Sequence, residues 1–82
     1  MEIKVLGPGC SNCKKLHAET EKALHQLGLE VPVTKVEKIA EIVAHGAMMT
    51  PALVINGKVK VAGRIPTQAE LTSWLATAAT DE

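Results

Sequence analysis

Across Gly7-Pro8-Gly9 the hydrophobic pattern of the chain changes period. Before this segment, Ile3, Val5 and Leu6 read as a strand. Proline offers no N–H to a ladder and glycine no side chain to pack, so Gly-Pro-Gly ends the strand. Beyond it, from Ser11 to Leu27, the spacing is helical. Cys13, Leu16, Thr20, Ala23, Leu24 and Leu27 share one face, and Lys14, Lys15, Glu19, Lys22 and Gln26 lie off it. Gly28 then supplies a C-terminal stop.

The rest of the chain is punctuated as clearly. Val31, Val33 and Val36 predict a second strand over roughly residues 30–36, and Pro32 within it demands an edge position. Ile39, Ile42 and Val43 line one side of a short helix that Gly46 can end. Ala52-Leu53-Val54-Ile55 is wholly apolar, as in a strand covered on both faces. Asn56-Gly57 follows, and Val59 and Val61 then alternate with Lys58 and Lys60. Both turn residues tolerate positive φ, so this is a hairpin whose second strand has one solvated face. Thr67 with Glu70 three residues on makes a capping box, and Leu71, Trp74, Leu75 and Ala78 form the stripe of a last helix. The predicted order is β-α-β-α-β-β-α: an α/β fold with a four-stranded mixed sheet, the third strand central and helices on both faces.

Composition narrows the function. Nine basic residues balance nine acidic ones in 82, and Trp74 is the one aromatic side chain. A basic field or a base-stacking platform for nucleic acid is therefore not expected. Apolar runs fall far short of the ~20 residues that span a bilayer, and the N-terminus does not read as a signal peptide. The expectation is a single cytosolic domain over residues 1–82, monomeric, with no membrane or nucleic-acid partner. In a reducing compartment two cysteines spaced as Cys10 and Cys13 point to redox or metal chemistry rather than a structural staple.

Cys10-Ser11-Asn12-Cys13 stands at the strand-to-helix junction. Cys10 is expected at the N-cap or in the first turn, where unpaired N–H groups and the helix dipole favour a thiolate. Such surroundings lower a thiol pKa from about 8.5 to roughly 3.5–7.5. Lys14 and Lys15 in the next turn add to this field. Cys13, one turn on, is within disulfide reach and falls on the buried stripe. These environments predict Cys10 as nucleophile and Cys13 as the resolving thiol of a redox-active disulfide that needs no further cofactor.

A Cys-x-x-Cys after the first strand of a β-α-β-α-β-β-α chain resembles the thioredoxin fold in its minimal, glutaredoxin-like form. Gly7-Pro8-Gly9-Cys10 and Gly63-Arg64 look like the small archaeal and bacterial redox-active disulfide proteins of that superfamily. The resemblance covers essentially the whole chain. It implies a thiol–disulfide oxidoreductase, served by a reductase of the thioredoxin-reductase type and acting on disulfide-containing proteins or small thiols. It also implies a cis Thr50-Pro51 bond facing the disulfide, with the Thr50 backbone pairing to substrate. Ser11, Asn12 and Met49 complete the expected substrate rim. There are departures: no tryptophan precedes Cys10, Lys4 stands where thioredoxins often carry a buried carboxylate, and Ala62-Gly63-Arg64 gives little support for glutathione binding.

Other residues have plainer readings. His17 shares a helical flank with the cysteines, which leaves open a soft-metal carrier of zinc or copper built on the same pair. Element order argues against that rival, because the chain closes with a helix rather than a strand. His25 and His45 are expected at the surface. Met48 beside Met49 offers a thioether near the rim, Trp74 belongs to the core, and Arg64 is a candidate for steering anions.

Overall fold

The computed structural model describes residues 1–9 and 11–80. Seven elements follow in the expected order: β1 (Ile3–Leu6), α1 (Ser11–Gln26), β2 (Val33–Val36), α2 (Ile39–Ala44), β3 (Ala52–Ile55), β4 (Lys58–Ala62) and α3 (Gln68–Thr80). They form one sheet in the order β2-β1-β3-β4. β1 pairs parallel with β2, Val5 opposite Lys35, and antiparallel with β3, Val5 opposite Leu53. Right-handed β-α-β crossover geometry places α1 over one face of this sheet.

The alternation of β1 and β3 divides the core in two. Ile3, Val5, Leu53 and Ile55 face α1 and α3, packing with Leu16, Ala23, Leu24, Leu71, Leu75 and Ala78. On the other face Leu6, Ala52 and Val54 meet Val36, Ile42 and Ala47. Every residue of β3 is buried, because it is central and has a helix on each side. Thr20 is fully buried in α1, and its hydroxyl is satisfied by donating to the Leu16 carbonyl at 2.7 Å. No helix among the described residues is long and apolar enough to cross a membrane.

Three expectations change. The second strand starts at Val33, so Pro32 precedes it rather than interrupting it, although β2 is the edge strand that proline demands. α2 buries Ile42 alone, leaving Ile39 71% and Val43 64% exposed, because a helix of six residues covers only the end of its face of the sheet. Val59 and Val61 do not share a face. A bulge shifts the register so that Leu53 opposes Val61 while Val54 opposes Val59, and Val59 is turned out on the α2 side.

The hairpin turn has Asn56 at φ 51 and Gly57 at φ 81, the paired left-handed conformations of a type I′ turn. At α3, the Glu70 N–H donates to Thr67 Oγ1 at 3.2 Å and the Thr67 N–H donates to Glu70 Oε1 at 3.0 Å, a reciprocal capping box. Arg64 donates to both Glu70 oxygens, at 3.0 and 2.8 Å, from the loop before the helix. The Arg64 hydrogen bonds and the Thr67 N–H together lower the Glu70 carboxyl from its ordinary 4.5 to about 2. A depressed carboxyl stabilises the fold above its unfolded pKa, and that stabilisation is lost as pH falls from about 4.5 toward 2. Glu70→Gln is therefore expected to lower Tm at pH 7, with the gap to the parent narrowing between pH 4.5 and 2.5; thermal melts across that range check it.

Candidate functional site

Three chain segments converge at the C-terminal end of β1. The first is the β1–α1 connection, held by the Gly7 N–H donating to the Val36 carbonyl at 2.9 Å. The second is Met48-Met49-Thr50-Pro51 ahead of β3, where the Thr50–Pro51 peptide is cis. The third is Gly63 after β4, whose N–H donates to the Pro51 carbonyl at 2.8 Å.

Cys13 sits where the first two meet. It is buried at the start of α1, and its Sγ packs against the backbone of Gly7 so closely that a Cβ on Gly7 would lie 2.2 Å from the sulfur. The same imagined Cβ would be 3.9 Å from the Thr50 Cβ. The glycine thus leaves the space the thiol fills and brings Thr50 to the same spot. Sequence patterning alone reads Gly7 as a strand terminator and misses this role. Gly63 has a parallel function at the rim. At φ +84 it takes a conformation L side chains avoid, and a Cβ there would meet the Met49 side chain at 3.0–3.3 Å. Met49 lies over that glycine while 62% exposed, and Met48 is 96% exposed.

The other expected site residues are placed as follows. Cys10, expected at the N-cap or in the first turn, lies outside the described residues. Ser11 and Asn12 are exposed in the first turn of α1, which contains no acidic residue. Lys14 and Lys15 are exposed in the following turn, and Lys14 borders a cleft of about 310 Å³ with Val5, Gly7-Pro8-Gly9, Cys13, Lys35 and Glu37. Pro51 is buried and Thr50 exposed. Lys4 points to the α2 face and pairs with Glu2 at 3.5 Å, turned away from Cys13.

Two accessory residues of the metal and anion readings are engaged elsewhere, His17 and Arg64. His17 is occupied: Nδ1 lies 3.0 Å from Glu21 Oε1 and Nε2 3.3 Å from the Val33 carbonyl, tying α1 to the start of β2. Among the described residues no group of three His, Cys, Asp or Glu side chains is placed to hold a metal ion. Arg64 is held by Glu70 and is not a free anion-steering group. His25 is exposed in the last turn of α1, whereas His45 is half-buried beside Lys4 and Val36 because it ends α2 against the sheet. Trp74 is half-buried on the main core.

A mixed four-stranded sheet with helices on both faces, a thiol at a strand-to-helix junction and a proline loop beside it define an α/β protein built for sulfur chemistry at one end of its sheet. The family model described as thioredoxin domain matches residues 1–76, and the chain belongs to the thioredoxin family. It is 29% identical to the thioredoxin of Methanothermobacter thermautotrophicus over 75 residues, 92% of this chain and 97% of that one. It is also 29% identical to the thioredoxin of Methanocaldococcus jannaschii over 73 residues, 89% of this chain and 84% of that one. The class of chemistry is thiol–disulfide oxidoreduction.

The packing at Gly7 is directly testable. Gly7→Ala must displace either the Cys13 side chain or the loop, at an expected cost of about 1–3 kcal/mol. Urea unfolding of the reduced protein should show this loss. Alkylation of Cys13 should be faster in the variant, as its thiol is forced from its seat.

Proposed function

We propose that the chain is a two-electron thiol–disulfide carrier in which Cys10 attacks and Cys13 resolves. The observation that supports this most is the seating of the Cys13 sulfur on Gly7 beside Thr50, in a helix whose first turn holds no acidic residue. That turn leaves the positive end of the helix dipole uncompensated, and Lys14 and Lys15 add cationic charge, so thiolate is favoured at the motif. The Cys10 thiolate attacks one sulfur of a substrate disulfide, forming a mixed disulfide and expelling the other sulfur as thiolate. Cys13, deprotonated, then attacks the Cys10 sulfur, closing the Cys10–Cys13 disulfide and releasing the second substrate thiolate. Two electrons leave the protein and two protons complete the substrate thiols. A reductase of the thioredoxin-reductase type returns the electrons, and no other cofactor takes part.

The Met49, Thr50 and Gly63 rim receives an extended segment of a disulfide-containing protein, with the Thr50 backbone pairing to it and Ser11 and Asn12 bounding it. The chain works as one unit, monomeric, in the reducing cytosol. Cys10→Ser is expected to abolish dithiothreitol-driven reduction of insulin disulfides. Cys13→Ser should retain the first attack and accumulate a mixed disulfide visible by intact-protein mass spectrometry. Equal trapping by both variants would overturn the assignment of roles.

A further inference from the structure

The cleft on the β2 side of the junction shares no residue with the Met49–Pro51 and Gly63 rim. Its wall holds Cys13 and the Gly7-Pro8-Gly9 backbone, its apolar part is Val5, and three charges surround it: Lys14 from α1, Lys35 from β2 and Glu37 just beyond β2. The parallel register, Val5 opposite Lys35, puts that lysine on the same face as α1. Glu37 reaches across to the loop, its Oε2 lying 3.6 Å from where a Cβ of Gly9 would be. None of the three is ion-paired with another described residue.

At about 310 Å³ the cleft is at the small end of ligand sites, which run about 300–1,000 Å³. It suits a molecule of amino-acid size better than a protein segment. Two ammonium groups and one carboxylate around it match a ligand that carries carboxylates and an ammonium together. A polyphosphate would be opposed by Glu37, and a simple dication by the lysines.

Building on the carrier reading above, we propose that this cleft binds small amino-acid-type disulfides, with Lys14 and Lys35 taking the carboxylates and Glu37 the ammonium. The site thereby serves low-molecular-weight disulfides from one side and protein disulfides from the other. The step balances as before: the Cys10–Cys13 dithiol becomes a disulfide, and the small disulfide takes two electrons and two protons to leave as two thiols.

The test is single-turnover oxidation of the full chain, reduced with dithiothreitol and desalted, by excess cystine, dithiodipropionate, cystamine or hydroxyethyl disulfide. Loss of protein thiols is read by quenched alkylation, and each rate is divided by that of the same disulfide with dithiothreitol to remove its intrinsic reactivity. Cystine, zwitterionic, should be fastest and cystamine, with no carboxylate, slowest, with the spread shrinking as salt is added. Lys35→Gln should cut the cystine-to-hydroxyethyl ratio about threefold, the scale of one solvent-exposed charge pair. Glu37→Gln should erase the preference for cystine over dithiodipropionate, which lacks the ammonium. Lys22→Gln, elsewhere on α1, should leave the ratios unchanged. Any general effect of charge on the thiols cancels in these ratios. Parent-like ratios in both cleft variants would overturn the proposal while leaving the carrier reading intact. Failure of all four disulfides to oxidise the parent would overturn both.

Discussion

The contact between the Cys13 sulfur and the bare backbone of Gly7 constrains everything around it. For that sulfur to rest there, α1 must leave the sheet within a few residues of β1 and run back across it. Leu16, Ala23 and Leu24 secure that path by packing on Ile3, Val5 and Leu53. The hydrogen bond from Gly7 to Val36 ties the same loop to the edge strand, so the seat is braced from two sides. Burial of the apolar stripe holds the helix as a whole, while the glycine sets how near its first turn can come.

The division of labour follows from the sheet. Its central pair, β1 and β3, carries the core on both faces, so the loops at one end can stay exposed without loosening the fold. Charges there are held apart from the side-chain pairs that brace the helices. Arg64 with Glu70 secures the N-terminus of α3, and His17 with Glu21 lies along α1, whereas Lys14, Lys35 and Glu37 stand unpaired among the described residues around the cleft. The first set stabilises local structure; the second has no such structural tie among the described residues.

Much of this was legible in the letters because local signals agreed with one another. The Asn56-Gly57 turn, the Thr67–Glu70 box and the wholly apolar β3 each specify an element through contacts within a few residues. What was hidden depends on partners brought together by the fold. Gly7 reads as punctuation until a helix returns a sulfur to it. Lys35 and Glu37 carry no signal in the sequence; parallel register sets Lys35 across from Val5, and the Glu37 side chain reaches toward Gly9. The bulge in β4 broke a clean alternation of valine and lysine, and Arg64 found its acid on the next helix. Cys10 itself lies outside the described residues.

The bulge has a further consequence for the borders of the sheet. An open sheet has two rows of unsatisfied backbone groups along its borders, and a flat border invites another chain to add itself as a strand. Here one border is β2, four residues long with Pro32 directly before it, and the other is β4, kinked at its register shift and carrying Lys58 and Lys60. Brevity, a missing donor, a twist and two ammonium groups all discourage lateral growth. The molecule can therefore leave Met48 and Met49 exposed at one end of its sheet without offering its flanks as a template for aggregation.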